Sequence, residues 1–426
     1  MRSFLASTCF VSALCAGVAA AQSPVAYVYV GQDAVQTEYS PIYAFAASSD
    51  GKLKPLEGSP FTQAENTGIM IGTNGSHFIF AGQGPGDTGA NPLDYLYSYE
   101  VSSDGAIGQQ LSSVDAASYA PAGCITSQQA EADFAVLDHT GQYVYLPHCG
   151  ASIQTYKIEH SGELVFQSDT IFNAQGEGGP VKIAGNDAYA YTRTEIDSLQ
   201  HGYPEGLNAF VRKSDGSMDY IGFADITGPN LPPDYFDSFA GLPGNWYFPY
   251  AYAIAPLTND PTNHFAAMLT IEKFTPPDTI ANEGCALASF TVGSQGQLTS
   301  TNTYDEMPHV CGIGMLLSPS GTVLAVNGGT NLQFFHFDGA KPITKFAQVD
   351  GKAGAFSNMA WDGSNHLYVL NALSGALRVY TVSSEKVVEA SGSPHDLPYC
   401  GVDPQSESPQ CPQTLVVRII PQTSGK

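Results

Sequence analysis

The sequence predicts an all-β chain, a seven-bladed β-propeller closed by its C-terminal strand. Three observations carry that expectation. A short polar turn recurs seven times, each time after an alternating run that ends in an aromatic or β-branched residue; it occupies residues 48–52, 102–106, 160–163, 213–217, 293–297, 337–340 and, without glycine, 382–386. Its Asp-Gly and Ser-Gly steps suit tight hairpins, because glycine accepts the positive φ that such turns need. The recurrence at roughly 45–80 residues points to sheets repeated around a ring. Finally, the first repeat lacks an inner strand, and residues 414–420 form the most strand-like stretch after Val382. Pairing that tail with the first sheet would remove a free edge.

The elements follow in order. Each repeat reads as an inner strand, a polar turn, a second alternating strand, a variable connection, a third strand, the glycine turn and a polar outer strand. The first repeat uses residues 26–30, 42–45 and 54–61; the second 69–71, 78–80 and 95–101; the third 134–137, 143–145 and 153–158. The fourth uses 181–184, 188–191 and 207–211, and the fifth 252–255, 265–269 and 286–292. The sixth uses 314–317, 323–326 and 332–337, and the seventh 358–361, 367–370 and 377–382. This grammar puts tight turns, such as Asn74-Gly75 and Thr140-Gly141, on one face. It puts long connections on the other: residues 83–94, 115–131, 193–206, 225–249, 270–285, 301–311 and 393–412. Long loops gathered on one face are where function is normally placed.

Residues 1–21 read as an export signal, and residues 22–426 as the propeller. Arg2 precedes an uncharged apolar stretch, and Ala19-Ala20-Ala21 supplies small residues before Gln22. The stretch is short for a membrane span, and no later segment approaches the roughly 18 apolar residues a span requires. A secreted or periplasmic protein is therefore expected. Cys9 and Cys15 would leave with the signal, and six cysteines stay. An even number in an exported chain favours disulfides, and neighbours in sequence suggest Cys124–Cys149, Cys285–Cys311 and Cys400–Cys411 among the possible pairings. Losing Arg2 takes the net charge from −24 to −25. Such a surface repels nucleic acid. No phosphate loop, serine elbow or zinc-binding Cys pair is present, so no cofactor is expected. A monomer with a small-molecule or carbohydrate ligand fits these properties.

The phrase Pro41-Ile42-Tyr43-Ala44-Phe45, with Asp50-Gly51-Lys52-Leu53 and Gly58-Ser59-Pro60-Phe61, resembles the seven-bladed β-propeller lactonase family. That family includes 6-phosphogluconolactonases and carboxymuconate-lactonising enzymes. The resemblance covers nearly all of the mature chain and implies lactone chemistry at the long-loop face. Where the family carries Gly-Pro-Arg-His, this chain has Gly179-Pro180-Val181-Lys182, so Lys182 alone keeps a positive charge. Where the family carries an acid after a second strand, Pro147-His148-Cys149-Gly150 places His148. The family's Asn-Glu pair corresponds to Thr194-Glu195, beside Arg193.

The candidate catalytic residues are therefore His148, Arg193, Glu195, His309 and Lys182. His148 and His309 stand in similar phrases and suit acid–base work. Each is matched by a plainer role, a hydrogen-bonded histidine in a disulfide-flanking turn. Arg193 suits an oxyanion or carboxylate and Glu195 suits water activation, with a surface ion-pair cluster as the plainer role. Aromatic residues at 235–248 could stack on sugar rings or form a local core. Asp87, Asn91 and Asp94 do not match a calcium-loop spacing. Two functions follow: a lactonase-like hydrolase, or a non-catalytic propeller that binds a glycan, peptide or protein.

Overall fold

The recurring glycine turn is the unit from which the molecule is built. In the computed structural model five of the seven turns place glycine at positive φ: Gly51, Gly105, Gly162, Gly216 and Gly296, between +78° and +88°. The structure describes residues 23–31, 41–62, 67–82, 84, 95–119, 135–148, 152–172, 177–183, 187–195, 206–225, 249–256, 264–275, 279–307, 314–328, 331–337, 343–351, 356–371, 374–397, 401–402, 409–410 and 414–421.

Among the described residues, seven antiparallel sheets of four or five strands follow one another. The first orders Leu53–Pro55, Pro41–Ala47, Ala26–Gly31 and Thr414–Ile419, with Phe61–Thr62 also on Pro41–Ala47. The second holds Thr67–Thr73, His77–Gly82, Tyr95–Val101 and Ile107–Asp115. The third holds Val136–Leu137, Tyr143–His148, Ser152–Ile158 and Leu164–Ile171. The fourth holds Glu177–Ile183, Tyr189–Glu195, Gly206–Arg212 and Met218–Asp225. The fifth holds Pro249–Pro256, His264–Thr275, Thr279–Val292 and Leu298–Met307. The sixth holds Gly314–Leu317, Val323–Asn327, Asn331–His336 and Thr344–Asp350. The seventh holds Phe356–Trp361, His366–Asn371, Ala376–Val382 and Val387–Glu389, with His395–Asp396 on Ala376–Val382. Gly401–Val402 and Pro409–Gln410 form a separate small pair.

The tail segment pairs with the first sheet in register, Ala26 opposite Ile419 through Gly31 opposite Thr414. Thr414–Ile419 also touches Thr67–Thr73 on one side and Phe356–Trp361 on the other. The intervening first strands touch in chain order from the second sheet to the seventh. Three of the long connections are shorter than the sequence implies. His264–Thr275 and Thr279–Val292 pair through Thr275 opposite Thr279, so residues 270–285 are mostly hairpin. Ile271, Lys273 and Phe274 continue a strand pattern that the Pro276-Pro277 step only ends. Cys285 consequently sits within a strand, between Thr270 and Met307. Leu298–Met307 likewise extends into the expected 301–311 loop, and Arg193 and Glu195 belong to a strand rather than to the connection after it.

Each core cluster spans two adjacent sheets. Tyr143, Tyr145 and Ile153 of the third pack with Val181, Ile183, Ala190 and Phe210 of the fourth. Fully burying one such side chain is worth about 1.5–3 kcal/mol. The glycine turns complete these joints. A residue at the start of a second strand, its first or, for Tyr27, its second, lies against the turn of the next sheet: Tyr27 on Gly105, His77 on Gly162, Tyr143 on Gly216, Tyr189 on Gly296 and His366 on Gly51. A Cβ at Gly216 would lie 2.2 Å from the Tyr143 ring. Two residues further along, Tyr29, Tyr145 and Tyr191 donate their hydroxyls to the carbonyls of Gly105, Gly216 and Gly296 at 2.8–2.9 Å. Burial pushes the Tyr29 phenol up to about 12, against an opposing pull from Arg418.

Candidate functional site

The third and fourth sheets bring several of the sequence-selected residues to one end. His148 is the last residue of Tyr143–His148 and lies directly opposite Ser152. Arg193 and Glu195 end Tyr189–Glu195, with Arg193 opposite Leu207 and Glu195 opposite Glu177. The strand bearing His148 touches the strand that Glu177 begins. All four positions lie at the strand ends remote from the tight turns, the end from which the longer connections leave.

Lys182 does not share that end. It lies opposite Tyr191, four residues before Glu195 in the partner strand. Four residues of strand span about 13 Å, which sets Lys182 near the tight-turn end of its own strand. His309, the aromatic segment 235–248 and the Asp87–Asn91–Asp94 group lie outside the described residues, as do Cys124, Cys149, Cys311, Cys400 and Cys411.

Three residues at this end were not singled out in the sequence. Glu177 becomes a partner of Glu195 only through the strand pairing, across an irregularity between Gly178 and Val181. Ser152, buried at 1 % exposure, faces His148 in register. Asp169 lies two residues before Ile171, the partner of Ser152 in the outer strand. Burial raises the Asp169 carboxyl above the usual carboxylate range, with a hydrogen bond from Ser152 opposing the rise. Desolvation disfavours the charged form of a carboxyl, which is the cause of that rise. Among the described residues no group of three or more His, Cys, Asp and Glu is placed to hold a metal ion.

The arrangement can be set beside known proteins. No family model matches the chain, and no curated protein matches it. Solved structures do. The periplasmic gluconolactonase of Pseudomonas aeruginosa is 16 % identical, with 87 % of this chain and 98 % of that chain covered and a TM-score of 0.53. A 6-phosphogluconolactonase-like protein of Bacteroides uniformis is 12 % identical, covering 93 % of this chain and 99 % of its own, with a TM-score of 0.58. Its counterpart from Bacteroides fragilis is 13 % identical over 93 % and 98 %, with a TM-score of 0.57. At these identities the likeness concerns the fold alone: the chain has a β-propeller fold. Among the described residues no helix is long and apolar enough to cross a membrane.

Proposed function

We propose that this is an exported seven-bladed propeller, closed by its C-terminal strand, that hydrolyses a lactone or related cyclic ester at the long-loop end of the third and fourth sheets. The observation that supports the reading is the position of His148, Arg193 and Glu195 at the same end of strands in two touching sheets. The fold is shared with a protein described as a gluconolactonase, which adds support. In this reading Glu195 takes a proton from water as the water oxygen bonds to the ester carbonyl carbon. Arg193 holds the oxyanion, and collapse breaks the ring C–O bond while His148 protonates the departing alkoxide. The product is the open hydroxy acid. General acid–base groups of this kind typically contribute about 10²–10⁴-fold.

A lactone panel tests the proposal. Wild type should open at least one sugar or hydroxy-acid lactone, with kcat reduced about 100-fold or more in Glu195→Gln and His148→Ala. Wild type that turns over no lactone would refute it. One observation favours the second reading, a binding propeller without catalysis: Val181-Lys182 stands where the resembled family has Arg-His. Saturable lactone or sugar binding without turnover would select that reading.

A further inference from the structure

One position recurs in three tight turns and carries two kinds of side chain. Asn74, Asp138 and Asp362 each bond through the backbone N–H to the carbonyl of the residue that opens the second strand: His77, Tyr143 and His366. One side-chain oxygen of each then accepts two more N–H groups from the turn and the strand start. The remaining atom differs. In Asp362 it is an oxygen, which accepts from His366 Nδ1 at 2.9 Å. In Asn74 it is the amide nitrogen, which lies 3.4 Å from His77 Nδ1.

The Asn74 amide cannot turn over. Its oxygen accepts from the N–H groups of Ser76 and His77 at 3.1 and 2.8 Å, and its nitrogen donates to the Gly141 carbonyl at 3.0 Å. Reversing the amide would break all three bonds. His77 Nδ1 therefore faces a donor and accepts, so the ring is neutral with its proton on Nε2. A proton added at Nδ1 would set two donors against each other with no acceptor between them. His366 meets the opposite case, because a carboxylate stands where its charge would form.

Both groups that such a proton would push apart hold the second sheet to the third. Asn74 bonds the Gly141 carbonyl and packs on Gly141 so closely that no Cβ would fit there. His77, 8 % exposed, lies against Gly162 in the glycine turn of the third sheet. We propose that Asn74 and His77 form an acid-released latch between these two sheets, closed while the ring is neutral and opened when it takes a proton. A cleft of about 320 Å³, lined by His77 with Asn74, Thr140, Gln142, Glu159 and His160, gives protons a route to the ring. The titratable groups facing His77 are Glu100 across its own sheet and His160 on the third. Lys157 and Glu159, paired at 2.8 Å, are the other charges on the cleft. Burial and His160 lower the proton affinity of His77, against a smaller pull from Glu100. A folded pKa below the unfolded one has no effect at high pH. Stability is then lost as pH falls below about 6.5, until the folded value is passed. The latch lies at the tight-turn end, away from the proposed hydrolytic site, and acts whether or not that site does.

The whole protein with labelled histidine tests this, by NMR and amide hydrogen exchange between about pH 7.5 and pH 5. In wild type the His77 ring should titrate below the ordinary value of about 6.5, from a neutral form protonated on Nε2. Protection of the amides at 140–142 and 160–162, corrected for the intrinsic pH dependence of exchange, should fall about three-fold or more across that range. Amides beside Gly105 and Gly216 should keep theirs. Asn74→Asp supplies the acceptor that Asp362 gives His366, so the ring should titrate above about 6.5 and the loss should vanish. If that variant fails to fold, His77→Phe keeps a ring without a proton site and should likewise remove the loss. Three results would each overturn the assignment. They are a wild-type His77 ring that titrates at or above about 6.5, a joint that keeps its protection at pH 5, and a loss that persists in folded Asn74→Asp or in His77→Phe.

Discussion

Asp138 and Asp362 occupy the same place in two sheets and are satisfied in different ways. Each follows a first strand, and each backbone N–H bonds across the tight turn, to the carbonyls of Tyr143 and His366 respectively. Both carboxylates are fully buried. Asp138 accepts from the N–H groups of Gln142 and Tyr143, the Thr140 hydroxyl and the Arg212 guanidinium of the next sheet. Asp362 accepts from the N–H groups of Ser364 and His366, the His366 Nδ1 and the Tyr368 hydroxyl, all within its own sheet. The first carboxylate bonds two sheets through a permanent cation. The second orients a titratable ring, which makes the inter-sheet contact by packing on Gly51. One fold position thus serves either as an ionic clamp or as a scaffold for an aromatic contact.

Removing each carboxylate should separate the two roles. Asp138→Ala leaves the Arg212 side chain, 11 % exposed, without its counter-charge, and should cost about 3–5 kcal/mol in denaturant unfolding. Asp362→Asn keeps an acceptor oxygen beside the N–H groups of Ser364 and His366, and should cost about 2 kcal/mol by the same measurement. A larger loss at Asp362 would reverse the comparison. The joint of the sixth and seventh sheets suggests how to dispense with the clamp: there Ser318 and Val382 hold the places of Asp138 and Arg212. The double variant Asp138→Ser with Arg212→Val should therefore unfold within about 1–2 kcal/mol of wild type, far closer than Asp138→Ala alone.

The smallest expected effect concerns Asp187, which bonds His139 across the clamped joint at 2.8 Å. Burial raises its carboxyl, but His139 and Arg212 outweigh this, and its proton affinity falls below the ordinary value. A depressed folded pKa stabilises above the unfolded pKa, and that contribution is lost as pH falls through the folded value. Asp187→Asn, tolerated at φ 55°, should cost up to about 1 kcal/mol at pH 7. The gap from wild type should shrink as pH drops below about 4. A gap that is constant with pH would show that the carboxylate charge is idle there.

Much of this was legible in the sequence, and the limits have physical causes. The glycine turns and the Tyr27-Val28-Tyr29 and Tyr143-Val144-Tyr145 phrases announced strands because hairpin chemistry and alternation are local. Their deeper reason, a ring from one sheet seated on a glycine of the next, joins Tyr143 to Gly216 and Tyr189 to Gly296 over spans no local pattern reports. At the candidate site, His148, Arg193 and Glu195 could be chosen because short phrases resembled a family. Glu177 could not, because only the strand register sets it opposite Glu195. Residues 270–285 were read as a long connection, and only the register of His264–Thr275 on Thr279–Val292 shows that most of them are paired strand.

The interlocking of ring and glycine also has a weakest link. Val323 opens its second strand with no ring, and the facing turn, Ser383-Ser384-Glu385-Lys386, has no glycine to receive one. Among the described joints this one alone lacks both halves of the contact. Transient parting of neighbouring sheets should begin there. Amide protons flanking the sixth–seventh boundary should then exchange with deuterium before those beside Tyr27, Tyr143 and Tyr189.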